Sequence, residues 1–255
     1  MKNSTFTKYE HAIRTYQGNP LSETLLMARD GALSVYYAPF EWVNPDARVV
    51  LVGITPGKVQ AANALAEARG ALLAGKSIDE VLRRAKRTGA FSGAMRPNLI
   101  NLLDCIGLHK WLNIGSCAEL FGNAGQLLQT ASALQFPVFI DGANYNGTPD
   151  PLKNSLLRSM LLEHFGTMVK AVPNAVFVPL GPVPSKALEW LAQQGVLPAS
   201  RVLHGLPHPS GANAERIAYF LGRKKRSELS VKTTPEKLDS ARERLTKDIN
   251  ALSHD

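Results

Sequence analysis

Four short runs rich in β-branched residues constrain the chain most: "ARVVLVGI" (47–54), "FPVFIDG" (136–142), "NAVFVPLG" (174–181) and "SRVLHGL" (200–206). Each is nearly continuous in apolar character and does not alternate, the pattern of parallel strands covered on both faces. Helical patterns lie between them. "KVQAANALAEARGALLAG" stops at Gly75, and Ser77 with Glu80 forms a capping-box pattern that opens "SIDEVLRRAKR". "PNLINLLDCIG", "CAELFGNAGQLLQTAS", "PLKNSLLRSMLLEHF" and "PSKALEWLAQQG" carry apolar residues at i, i+3, i+4 spacing. Strands alternating with helices predict an α/β fold, a three-layer α/β/α sandwich around a central, mainly parallel four-stranded sheet. The 255 residues suit a single domain over 1–255. Within it, residues 223–255 are expected to form a charged, mostly helical C-terminal extension, with Pro235 opening an amphipathic helix to about Leu252.

Charge narrows the partners. Lys and Arg exceed Asp and Glu by 29 to 21, a net +8, which favours a polyanion such as nucleic acid, or an anionic membrane surface. No apolar run approaches the roughly 20 residues that cross a bilayer. The opening "MKNSTFTKYEHAIRTYQGNP" lacks an apolar core with a cleavage site, so the expected location is cytoplasmic. Cys105 and Cys117 lack metal-ligand spacing and are read as buried free thiols on helix faces, in keeping with a reducing compartment. Two cysteines cannot hold an iron–sulfur cluster. The run Arg223–Arg226 reads as a solvated helix end or as a phosphate contact.

Ligands of open α/β sheets bind beyond the carboxyl ends of the strands. The segments there are "GITPGK", "DGANYNGTPDP", "LGPVPSK" and "PHPSGANAER", all rich in turn-forming residues. "GITPGK" is one residue too short for a nucleotide-phosphate loop, and Val59 stands where that loop needs Ser or Thr. Nor is there a GxGxxG dinucleotide pattern. In the last segment Ser210 precedes a helical run starting near Ala212, so it is expected to cap that helix and to seat a phosphate at its N-terminus. His208, between Pro207 and Pro209, is held in a fixed direction.

"GITPG" after the first strand, "GAFSGAMRP" (Gly89–Pro97) and "HPSGAN" after the last occur in one order over roughly residues 45–222. In these motifs the sequence resembles the uracil-DNA glycosylase superfamily. The resemblance implies base excision repair: a DNA glycosylase that flips a nucleotide from DNA and hydrolyses the N-glycosidic bond of uracil or a related deaminated base. It implies a monomer acting on DNA, with no membrane association and no metal or redox cofactor. Carried onto this chain, Thr55 and His208 take the catalytic positions. Gly53, Ile54, Phe91 and one of Asn144 or Asn146 (Asn144 preferred) form the base pocket. Lys58, Ser92, Ser210, Gly211, Ala212 and Asn213 meet the DNA backbone.

Those residue types suit the roles. Phe91 would stack on the extruded base, an Asn amide would read its pairing edge, and His208 would donate to the negative charge on the departing base. Phe91 as a core aromatic, the two Asn as loop formers and Ser210 as a plain cap are the bland alternatives. Two departures from the pattern stand out. Thr55 occupies the position where the superfamily commonly has Asp or Asn, and a hydroxyl can hold a water but not act as a base near neutral pH. Gln60, Asn63 and Asp141 are candidate substitutes. Ala212 and Asn213 stand where the family often carries a bulky leucine. Lys58 and Lys186 flank the rim and are expected to meet phosphate or solvent, not to serve as amine nucleophiles. The alternative function is a catalytically weak or inactive nucleic-acid-binding relative.

Overall fold

A computed structural model of the chain describes residues 4–89 and 95–252. The fold is α/β. Its strands are β1 (Leu26–Asp30), β2 (Leu33–Tyr36), β3 (Val49–Gly53), β4 (Leu128–Ser132), β5 (Val138–Ile140), β6 (Ala143–Asn144) and β7 (Val176–Pro179). The helices are α1 (Ser4–Arg14), α2 (Lys58–Leu73), α3 (Ile78–Gly89), α4 (Met95–Cys105), α5 (Leu108–Trp111), α6 (Ser155–Met160), α7 (Gly166–Ala171), α8 (Pro182–Gln193), α9 (Ala214–Phe220) and α10 (Pro235–Asn250). The described residues group into two compact units, each assembled from three stretches of chain. The first takes Met1–Val43, Ile54–Ala90 and Ser132–Met168; the second takes Asn44–Gly53, Phe91–Ala131 and Val169–Asp255.

In the second unit β4, β3 and β7 form a three-stranded parallel sheet with β3 at its centre. Val49 to Val52 pair in register with Val176 to Pro179. All eight of these residues bar Pro179 are β-branched, aromatic or Leu, which suits a pleated strand buried on both faces. Val49, Leu51, Val176 and Val178 share a core with Leu99 and Leu102 of α4, Phe220 of α9, and Leu245 and Ile249 of α10. The C-terminal helix is thus part of that core.

The first unit has a four-stranded antiparallel sheet in the order β1-β2-β5-β6. α2 stacks on α3 through Ala61, Ala64, Leu65, Ala68 and Leu72, whose 3–4 spacing forms one apolar stripe. Gly75, at φ +69°, ends the helical hairpin's first arm in a conformation that favours glycine. Ser77 accepts from the Glu80 amide at 3.4 Å, as expected, but the Glu80 carboxylate turns outward to Arg83. Tyr9 stacks on Tyr37 at 4.5 Å, and Tyr37 meets Phe136 at 5.7 Å.

Several expectations are corrected. Residues 136–142 belong to the antiparallel sheet, not to a parallel one. Asp141 and Gly142 both have positive φ (47° and 76°) and fold β5 back onto β6 as a two-residue hairpin. The run 200–206 pairs with the parallel sheet through the isolated Phe177–Val202 bridge and the bond from the Leu203 amide to the Phe177 carbonyl. A four-stranded parallel sheet is therefore reduced to three strands and a bridge. "CAELFGNAGQLLQTAS" is not a helix. Gly122 and Gly125 break it into two short 3₁₀ turns, and its end becomes β4, whose residues are buried alternately. Asn44 secures that strand by donating to the carbonyls of Gln126 and Leu128 and by its amide bond to Gln129 Oε1. Cys117 is buried as expected, whereas Cys105 is exposed at the end of α4.

Two buried ionisable groups, each within the other's charge influence, were not expected. Lys86 of α3 is buried and donates to the Phe40 carbonyl at 3.1 Å. Both Glu41 carboxylate oxygens are buried too. Burial pushes the Glu41 carboxyl up to about 7, opposed by Tyr37 and Lys86, and pushes the Lys86 amine down to about 8, opposed by Glu41.

Candidate functional site

In the first unit the "GITPGK" turn is locked by side chains. Thr55 Oγ1 donates to the Phe136 carbonyl at 3.0 Å and accepts from the Val138 amide at 3.1 Å. The hydroxyl's one proton is committed, so Thr55 pins the turn to the start of β5 and has no donor left for a water. Gln60 is committed as well: its Oε1 accepts from the Gly57 amide at 3.0 Å and its Nε2 donates to the Gly89 carbonyl at 2.9 Å. Asn63 is exposed on α2, and Asp141 is the hairpin turn described above.

Asn144 behaves differently. Its Oδ1 accepts from the Lys58 amide at 2.8 Å, capping the N-terminus of α2 from a residue 86 positions away. This fixes the amide plane and leaves Nδ2 as the donor of an exposed residue. A Cβ on Gly57 would lie 3.6 Å from both amide heteroatoms of Asn144, so Gly57 lets the two segments approach closely. Asn146 serves locally, accepting from the Thr148 amide at 3.2 Å. The structure brings Thr55, Gly57, Lys58 and Asn144 together and leaves Asn146 in its own turn. Ile54 supplies its carbonyl to the Leu134 amide. The Lys58 side chain is exposed.

In the second unit, Gly53 ends β3 and His208 lies in the loop before α9. The Ser210 amide donates to His208 Nδ1 at 3.3 Å. Nδ1 is therefore unprotonated, and the ring proton resides on Nε2. Burial pushes the imidazole below the ordinary histidine value, so the ring is neutral near pH 7 and presents an N–H donor. Asn98 of α4 fixes the same loop by donating to the Pro209 carbonyl at 3.0 Å. Ser210 does not cap the helix with its side chain. Its hydroxyl accepts from Asn213 Nδ2 at 3.3 Å, and Asn213 Oδ1 accepts from Arg216 at 2.7 Å. The helix start expected near Ala212 is a 3₁₀ turn, Gly211–Asn213, leading into the seven-residue α9. Gly211 and Ala212 are exposed. Phe91 and Ser92 lie outside the described residues.

Gly181 was missed as a site residue. It sits at φ +92°, ψ 179°, a region almost closed to other residues, and a Cβ there would lie 3.2 Å from His208 Cβ. Its position right after the third apolar run was the available signal. Gly181→Ala is expected to cost about 1–3 kcal/mol of stability in urea unfolding, from backbone strain alone. The substitution also displaces His208, so any activity that depends on the imidazole should fall further than stability does.

No family model matches the chain, and no solved structure does. The chain is 35% identical over 227 residues to the uncharacterized protein YoxB of Bacillus subtilis (strain 168), a match covering 88% of this chain and 89% of that protein. No helix among the described residues is long and apolar enough to cross a membrane. With that identity sustained over nearly the whole of both chains, this protein belongs to the same family as YoxB.

Proposed function

We propose that the chain is a DNA glycosylase of the uracil-DNA glycosylase superfamily, hydrolysing the N-glycosidic bond of uracil or a related deaminated base in DNA. On this reading the parallel β4-β3-β7 sheet is what remains of the superfamily's central sheet in a three-layer α/β/α arrangement. The observation that carries the reading is the placement of His208: its Nδ1 accepts from the Ser210 amide inside the "HPSGAN" loop, which leaves Nε2 as the donor, and burial disfavours its cation. A neutral donor stabilises negative charge as it develops on a departing base without first forming an ion pair with substrate phosphates. Asn144 adds a fixed amide donor suited to a base carbonyl.

A second reading, a nucleic-acid binder without catalysis, is favoured by the committed hydroxyl of Thr55. The test is incubation with oligonucleotides carrying uracil in single strands, U:A pairs and U:G pairs, followed by alkaline cleavage of abasic sites. Product is expected, and His208→Ala should reduce it by roughly 10²–10³-fold, the effect of deleting one such donor. Salt-dependent binding with no product on any of these substrates would select the second reading.

A further inference from the structure

Val231 is a fully exposed valine on a turn fixed by hydrogen bonds. Ser230–Thr233 close a β-turn through the bond from the Thr233 amide to the Ser230 carbonyl at 3.0 Å. Both ends of the turn grip one carboxylate, Glu215 of α9. The Ser230 amide and hydroxyl donate to it at 3.1 and 2.7 Å, and the Thr233 hydroxyl at 2.5 Å. Lys224 adds an ion pair at 3.0 Å. With these four donors the Glu215 carboxyl is held down at about 2, so the clamp persists throughout the physiological range. Arg216 then fixes the turn's tip, donating to the Lys232 carbonyl at 3.0 Å.

Thr233 is buried, while Val231 projects with its whole side chain in solvent (103% of the reference exposure). Single exposed apolar residues are ordinary on mobile tips, but here ordering has already been imposed and no apolar partner is gained. Cations outnumber anions around the tip. From Arg223 to Lys237 there are six Lys or Arg and two Glu. Lys224 is spent on Glu215 and Arg226 on Glu236, which leaves Lys232 exposed at the tip itself. Arg216 also ties the tip to the loop that carries the proposed site, since its other nitrogen donates to Asn213 Oδ1 at 2.7 Å.

We propose that the clamped turn Ser230–Thr233 is a nucleic-acid contact in which Val231 enters the base stack and Lys232 meets the adjacent phosphate. A rigid apolar side chain flanked by cations is the arrangement with which proteins wedge between base steps while neutralising the backbone. Neither a membrane nor a protein pocket explains the pairing of one isolated aliphatic tip with an excess of unpaired cations as directly. The assignment rests on the nucleic-acid part of the proposed function, but not on catalysis.

The probe is a short fluorescein-labelled duplex holding a tetrahydrofuran abasic analogue with 2-aminopurine beside it, which offers no base to excise. Binding by the full chain is expected to raise 2-aminopurine fluorescence as the step unstacks. Val231→Ala should lower that rise by about fivefold and weaken duplex binding by roughly tenfold, leaving single-strand binding and the melting temperature unchanged. Val231→Leu should keep the rise. Lys232→Gln should flatten the slope of log affinity against log salt by about 1. Wild-type fluorescence in Val231→Ala together with a wild-type salt slope in Lys232→Gln would overturn the assignment, as would failure of the unaltered protein to bind duplex. The excision assay reports separately. Binding and unstacking with no product sink the glycosylase and leave the turn standing; product with unstacking indifferent to Val231 does the reverse.

Discussion

Lys86→Met is expected to destabilise the protein by about 1–3 kcal/mol in urea unfolding, because it strips the buried Phe40 carbonyl of its donor. Glu41→Met removes a carboxyl that burial already penalises, so it should cost less at pH 7. A loss in Glu41→Met as large as that in Lys86→Met would show that the ammonium depends on the carboxylate. The pH dependence has a definite sign. The Glu41 pKa is raised from 4.5 to about 7 in the fold, so its contribution is fully present below 4.5 and is lost as pH rises to 7. The Lys86 pKa is lowered from 10.5 to about 8, so stability falls as pH drops from 10.5 to 8. These two groups therefore give wild-type stability a minimum between pH 7 and 8, absent in the Glu41→Met/Lys86→Met double variant.

Thr55→Val should cost roughly 1–3 kcal/mol for each of two backbone groups left bare, the Phe136 carbonyl and the Val138 amide. Thr55→Ser keeps both bonds and should remain close to wild type. Thr55→Asp separates the structural role from a catalytic one. A carboxylate can accept from Val138 but faces the Phe136 carbonyl without a proton to donate, so that variant should be less stable and no faster in the excision assay. A stable Thr55→Asp protein with increased excision would show that the turn needs no bond to Phe136 and that the position governs water.

The parts of the molecule legible in the sequence are those whose cause is local. β3 and β7 follow from continuous β-branched runs, α2 ends at Gly75 because its backbone must reverse hand there, and α8 begins on Pro182 because a first helical turn has no use for its amide. α10 was readable from Pro235 and its spaced leucines. The hairpins are legible too: Gly31-Ala32 and Asp141-Gly142 are two-residue turns with glycine at a positive φ, and the second outweighs the apolar continuity of 136–142. Counting apolar spacing through Gly122 and Gly125 produced a helix where short turns and an edge strand stand.

The sequence by itself determined the strand β3, the turn after it and the helix α2 of the "GITPG" region, since periodicity and turn chemistry act over a few residues. Only the tertiary structure decided what those residues do. Thr55 is a latch because Phe136 and Val138, more than 80 residues on, offer it a carbonyl and an amide. Asn144 is a helix cap because Lys58 lies beside it, His208 is neutral because burial penalises its cation, and Val231 is rigid because Glu215 collects its neighbours. Hydrogen bonding, desolvation and charge pairing depend on which groups meet in space, and no local pattern in a single chain records those meetings.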